Sequence, residues 1–321
     1  MRILIVTPEG AGSRKGNRVT AVRWVGLLRR LGHRVAISQR FDGQACDLLI
    51  ALHARRSGEA VRRFRRERPE APLVLVLAGT DLYRDLVRRA SRRQVCEAMA
   101  LADRLVTLNT ESVRQVPARF RSKVRCILQS APAAGTRPQR EARKQAFLVC
   151  VIGHLRAEKD PLRPAYAARR LPRSSRIRIE QAGRALDPVW SRRAAAEMRR
   201  NPRYRWLGEL SAAQIRRLLA RADLLVHPSR MEGGANVVGE AVRAGLPVLL
   251  SRIPGNVGLL GRAYPGYFPV GATGALTRLL RRAETRSEFI GRLRRTVRRL
   301  APRFSPAQEA RGWRRLIADL G

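Results

Sequence analysis

At 321 residues and 45% hydrophobic, the chain is long enough for two ordinary domains; with only 5% aromatics, their cores must rest on Leu, Val, Ile and Ala. The net charge is +41 and almost wholly arginine, because Lys15, Lys123, Lys144 and Lys159 are the only lysines. Such a charge holds polyanions at low salt, but the arginines of "RRFRRER" and "RLRRTVRRL" cover helix faces with no interleaved aromatics and no nucleic-acid module. They read as a solvated surface that binds nucleic acid only non-specifically.

The chain opens on "RILIVT", a strand pattern too short for a signal peptide. The loop "TPEGAGSRKGNRVTAVRW" then leads into a helix whose stripe, Trp24, Leu27, Leu28 and Leu31, follows i, i+3, i+4, i+7 spacing. Gly10, Gly12 and Gly16 fit neither G-x-G-x-x-G nor the P-loop, so dinucleotide binding and nucleotide hydrolysis lose support. Arg14, Lys15, Asn17 and Arg18 at that helix start form a site for a small anion. "DLLIAL", "LVLVLA", "RLVTL" and "VRCIL" are further strands of the first half. His53, Arg55 and Arg56 follow the first of these, and Thr80 and Asp81 follow the second.

The register is interrupted by "APAAGTRPQREARKQ", residues 131–145, which has turn residues and charge but no periodic apolar face and reads as a linker. Domains are therefore expected over 1–130 and 146–300, with a helix over 301–321 behind the second domain, carrying Trp313, Leu316, Ile317 and Leu320. In the second half "FLVCVI", "RIRIE", "DLLVHP" and "PVLLS" are strands. Ile215, Leu218, Leu219 and Ala222 mark a helix that Ser211 and Gln214 open as a capping box. This alternation means α/β structure: two doubly wound domains with parallel sheets, with ligands beyond the carboxyl ends of the strands in the cleft the domains face. Cys46, Cys96, Cys126 and Cys150 form no C-x-x-C pair, two of them fall in strand runs expected to be buried, and no run approaches membrane-spanning length. A soluble, cytoplasmic protein with reduced thiols is expected.

The chemistry concentrates in "HPSRMEGGANVVGEAVRAGLPVLLS". With a strand ending near His227 and a helix starting near Asn236, Gly233 and Gly234 let bare backbone approach a ligand. The helix start aims free N–H groups at it, as a phosphate seat does. Glu240, one turn inside the helix, is placed to accept from a vicinal diol, and Glu232 lies on the loop. Spacing alone also fits a plain glycine turn with two surface glutamates.

This stretch resembles the E-x7-E segment of the GT-B glycosyltransferases of family 4. "RWLGELSAAQIRRLLARADLLVHPS" resembles the approach to it, and "VIGHLRAEKDP" the G-R-L-x-x-x-K diphosphate loop, in family order. The resemblance implies a GT-B fold of two Rossmann-like domains. It assigns Glu240 to the donor ribose, Gly234, Ala235 and Asn236 to the diphosphate with Lys159 neutralising it, Gly208 and Leu210 to places beside the base, Gly153, Gly233 and Val237 to donor binding more generally, and Glu232 to the donor sugar as a catalytic residue. His154 stands where the loop usually has arginine; either Arg156 supplies the missing cation or His154 is itself the phosphate ligand. The family's "H-G-x-D" histidine is replaced by Ala78, and His53 is the other candidate for catalysis, with a structural role equally open. No D-x-D motif ends a strand, so no metal or other cofactor is expected.

More narrowly, "GSRKGNRVTAVRW", "LHARRS", "GTDLYRD" and "GHLRAEKDPLR" resemble the selenosugar synthases of selenoneine biosynthesis over nearly the whole chain. The implied reaction joins selenophosphate to the sugar of UDP-N-acetylglucosamine or UDP-glucose with release of UDP. Arg14, Lys15, Asn17, Arg18, Arg55, Arg56, Thr80 and Asp81 would then hold the acceptor. Two other readings are a family 4 transferase with a hydroxyl acceptor, and a polyanion-binding protein on a relic of this fold.

Overall fold

The structure, a computed structural model, describes residues 1–132 and 146–321. Apart from Ala131 and Pro132, the expected linker lies outside the described residues. The first half contributes β1 (Arg2–Val6), β2 (Arg34–Ser38), β3 (Leu48–Leu52), β4 (Leu73–Leu77), β5 (Arg104–Thr107) and β6 (Val124–Cys126) to one sheet, in the order β2-β1-β3-β4-β5-β6. The second sheet is built from β7 (Phe147–Ile152), β8 (Ile177–Ala182), β9 (Tyr204–Trp206), β10 (Leu224–His227), β11 (Val248–Ser251) and β12 (Tyr267–Phe268), in the order β12-β11-β10-β7-β8-β9. Every pairing in both sheets is parallel.

Parallel strands need crossovers, and α-helices supply most of them: α1 (Gly16–Arg30), α2 (Gly58–Glu67) and α3 (Arg89–Leu101) in the first half. In the second half they are α4 (Arg163–Arg169), α5 (Pro188–Arg200), α6 (Ala212–Arg221), α7 (Asn236–Arg243) and α8 (Pro254–Leu260), followed by α9 (Thr273–Thr285), α10 (Ser287–Leu300) and α11 (Pro306–Ala318). The Ser211 hydroxyl accepts from the Gln214 N–H at 3.2 Å and the Gln214 side chain accepts from the Ser211 N–H at 2.8 Å, so the expected capping box opens α6.

The chain forms two compact units. One comprises Met1–Ser130, Glu232–Gly234 and Pro306–Gly321; the other, Ala131–Met231 and Ala235–Ser305. In the first unit side chains alternate across the sheet, with Ile3 and Ile5 on the face covered by Trp24, Leu27 and Leu28, and Leu4 and Val6 on the face covered by Phe64, Val95 and Met99. Both faces are buried, which is why these strands read as unbroken apolar runs. The terminal helix follows the second domain in the chain, as expected, but packs in the first unit: Trp313 meets Trp24 edge-on at 4.7 Å, and Trp24 Nε1 donates to the buried Glu309 carboxylate at 2.7 Å.

Cys46 and Cys150 are buried and Cys96 partly so, whereas Cys126, expected in a buried strand, is exposed because β6 is a three-residue edge strand. Among the described residues no helix is long and apolar enough to cross a membrane, and no three His, Cys, Asp or Glu side chains gather closely enough to hold a metal ion.

Candidate active site

In the second sheet β7 is central, with β8 and β9 on one side and β10, β11 and β12 on the other, so the winding reverses between β7 and β10. Crossovers leave such a point toward opposite faces and open a crevice beyond the carboxyl ends of the two strands. The loop after β7 carries Gly153, His154, Arg156 and Lys159; the loop after β10 leads into α7. The two are tied together, the Arg230 N–H donating to the Glu158 carbonyl at 2.8 Å. The Lys159 stem runs across Gly153, where a Cβ would stand 3.8 Å from its Cδ. Asp160, in the left-handed region at φ 44°, then ends the short Ala157–Lys159 turn. Arg156 Nε is 3.9 Å from Glu158, outside hydrogen-bond range, and its side chain is 41% exposed. That leaves it accessible as the loop's second cation.

Gly183, directly after β8, is a site residue the sequence reading missed. At φ 150° it takes a conformation reserved for glycine, and a Cβ there would run into the Gly153 carbonyl. Its N–H donates to the Gly208 carbonyl at 2.7 Å and its own carbonyl accepts from Trp206 Nε1 at 2.9 Å. One glycine therefore laces together the loops after β7, β8 and β9, and with them Gly153, His154 and Gly208; Leu210 follows two residues on. The signal in the sequence was a third glycine at a strand end, in "QAGR".

α7 begins at Asn236 as expected, with Val237 in its first turn. Ala235 at the N-cap has no side-chain cap, and no acid lies in the first turn. A helix start without a side-chain cap, with the positive end of its dipole, is what an anion uses. Glu240 lies four residues beyond Asn236, one turn up the same face.

Glu232, Gly233 and Gly234 belong to the first unit by their contacts. A Cβ on Gly233 would collide with the backbone of Ala78 and Gly79, and one on Gly234 with Gln129 and with Leu108 Cβ at 2.8 Å. Asn109 Nδ2 donates to the Gly233 carbonyl at 2.5 Å. The close backbone approach expected of these two glycines is thus made to protein, and Glu232 beside them is buried.

The first sheet switches direction at β1 and β3. Lys15 is the N-cap of α1, which has neither a side-chain cap nor an acid in its first turn, where Asn17 and Arg18 lie; Arg14 precedes it. Glu9 does not stand out in the sequence, yet this buried carboxylate ties the two loops together, 3.1 Å from Lys15 Nζ and 2.6 Å from Arg56 Nη1. Burial pushes the Glu9 carboxyl up, but hydrogen bonds from Arg56 and Lys15 outweigh it and hold it below the usual carboxylate range. Part of the positive charge expected for the acceptor is therefore already balanced.

His53 sits at φ 77° and is 2% exposed. Its Nδ1 accepts the Arg56 N–H at 3.3 Å, so in the neutral ring the proton resides on Nε2, 2.8 Å from Thr80 Oγ1 and 3.9 Å from Asp85 Oδ2. With both nitrogens engaged, the ring braces this corner. Asp81 is fully buried and accepts the N–H groups of Ala54, Ala78, Gly79 and Leu82 at 2.7–3.1 Å, which makes it a positioning residue. Asp85, also buried, lies 3.5 Å from Arg55 and 3.0 Å from Arg84. Neither Asp85 nor Arg84 stood out in the sequence.

The profile described as "Glycosyl transferases group 1" matches residues 135–298. Glycosyltransferase 1 domain-containing protein 1 of Xenopus tropicalis is 22% identical over 268 residues, 76% of this chain and 77% of that protein. Among solved structures, Anabaena Alr3699/HepE in complex with UDP and glucose superposes with a TM-score of 0.79 at 15% identity, covering 99% of this chain and 100% of that one. Sucrose-phosphate synthase from Thermosynechococcus elongatus gives 0.78 at 16% identity, covering 99% and 98%. The two parallel six-stranded sheets and their helices are those of the GT-B fold. The chain belongs to the group 1 glycosyl transferases.

Proposed function

We propose that the chain transfers a hexosyl group from a UDP-sugar, UDP-N-acetylglucosamine or UDP-glucose, to selenophosphate in a reducing cytoplasm. A donor domain over 146–300 would serve the nucleotide sugar and an acceptor domain over 1–130 the anion. The observation that carries the acceptor assignment is that, among the described residues, this corner offers no uncommitted imidazole or carboxylate as a base: Ala78 replaces the family's histidine, both ring nitrogens of His53 are engaged, and Glu9 and Asp85 are paired with cations. A hydroxyl acceptor must shed a proton as it attacks; a selenophosphate anion need not. The cations after β1 and β3, Arg14, Lys15, Arg18, Arg55 and Arg56, suit a small anion and outnumber the Glu9 and Asp85 carboxylates set among them.

Selenium attacks the anomeric carbon with its own electron pair, a C–Se bond forms, and the C–O bond to the diphosphate breaks with its electrons leaving on UDP. Negative charge grows on the departing phosphate oxygen, where Lys159, Arg156 and the uncapped start of α7 stabilise it in the transition state. Glu240 accepts hydrogen bonds from the ribose hydroxyls, and Glu232 is assigned to the sugar. The UDP bound in HepE supports the choice of donor.

The test is UDP release from each UDP-sugar with and without selenophosphate, with mass spectrometry of the product. Release that depends on selenophosphate, and a hexose carrying selenium, are expected. Release unaffected by selenophosphate, or dependent on a hydroxyl acceptor, would overturn the proposal.

A further inference from the structure

The second unit contains a cavity of about 490 Å³ lined by Arg163, Tyr166, Arg169, Arg170 and Thr273, none of which the proposed transfer uses. α4 supplies the first three of these and its C-cap Arg170; the start of α9 supplies Thr273. Several guanidinium groups converge on that start. Arg163 Nη1 donates to Thr273 Oγ1 at 2.7 Å. A Cβ on Gly274 would stand 3.9 Å from Arg170 Nη1 and 3.8 Å from Arg278 Nη1. α9 itself has no side-chain cap at Ala272 and no acid in its first turn; the Thr273 N–H donates to the Gly271 carbonyl at 3.0 Å, and the rest of the helix start adds the positive end of a dipole to the arginines.

The nearby carboxylates are committed. Asp160 holds Arg163 through Nε at 2.9 Å and Nη2 at 3.3 Å, and Glu197 is shared by Arg169 at 3.2 Å and Arg200 at 3.1 Å. Arg170 and Arg278 have no carboxylate partner among the described residues. Like charges gathered on a positive helix end repel one another unless an anion sits among them. The arrangement also differs from the solvated arginines elsewhere in being concave and partly preset: Arg163 is only 18% exposed, and Arg169 lies 5.2 Å over the Tyr166 ring.

Guanidinium forks match phosphate oxygens, and the cavity is far larger than one phosphate needs, with Tyr166 and Thr273 completing its lining. We infer that this cavity binds a small phosphate monoester of about the size of a sugar phosphate. The inference does not rest on the identity of the acceptor in the transfer reaction.

The full chain, saturated with UDP and held at 0.2 M KCl, is titrated with glucose 6-phosphate in a calorimeter, with inorganic phosphate and glucose in parallel. Saturable 1:1 binding of glucose 6-phosphate is expected, weakened at least tenfold in Arg170→Ser and further in Arg170→Ser/Arg278→Ser, with unchanged thermal melts. Arg281→Ser, which removes a charge from α9 outside the cavity, should leave it unaltered. Absence of binding, survival of binding in the double variant, an equal loss in Arg281→Ser, or equal affinity for inorganic phosphate would each overturn the inference. Tungstate soaked into crystals gives a second readout, and an anomalous peak absent from the cavity counts against it.

Discussion

Asp81 draws N–H groups from the loops after both β3 and β4. Asparagine in its place keeps the shape but turns an amide toward donors, and Asp81→Asn should cost about 2–4 kcal/mol in urea unfolding. Glu9 is a second such tie, with a distinct pH signature. Its folded pKa lies below the unfolded one, so its contribution is present above the ordinary carboxylate range and is lost as pH falls through the folded value. The difference in urea midpoint between wild type and Glu9→Gln should stay constant from about pH 7 to 5 and shrink at more acid pH, below about 4. For Glu240 the measurement is nucleotide affinity. Glu240→Ala should raise the Kd for UDP at least tenfold, about 1.4 kcal/mol, and 2′,3′-dideoxy-UDP should bind wild type and variant alike. If instead the variant binds UDP as tightly as wild type does, the ribose assignment fails.

Among the elements, what could be read in advance follows burial. β3 and β4 are covered on both faces and are apolar at every position, so their runs were plain in the sequence. β2, β9 and β12, which do not stand out in the sequence, are three of the four edge strands; the fourth, β6, lies in the legible run "VRCIL". β9 and β12 are three and two residues long, and an edge strand paired on one side needs fewer apolar residues, so the signal is weak. The same holds at the site. The start of α7 was legible because a strand, a glycine turn and a periodic helix follow in order; the Glu9 tie and Gly183 were not, because each depends on partners far off in the chain. Gly183→Ala tests that lacing: displacement of the Gly153 carbonyl should cost about 1–3 kcal/mol and lower UDP affinity at least tenfold. Gly12, at φ 78° with nothing near its would-be Cβ, is the control, and Gly12→Ala should show only the smaller backbone cost with UDP affinity unchanged.

For the molecule as a whole, the charge of +41 predicts sticky but indiscriminate behaviour toward polyanions. Fluorescence anisotropy with random-sequence DNA should show affinity falling about a thousandfold or more between 50 and 200 mM salt, without sequence preference. A sequence-selective complex that survives 200 mM salt would revive the nucleic-acid reading. The other property of the whole chain lies in its route: the first unit is begun by β1 and finished by α11, with the whole of the second unit between them. On the ribosome, domains generally fold in the order they emerge, but here Trp24 has no Trp313 to lie against, and its indole N–H no Glu309, until translation has passed residue 313. The half that is synthesised first is thus the half completed last, and a chain truncated after Ser305 should expose the Trp24 face to proteases and chaperones while its later half is already protected.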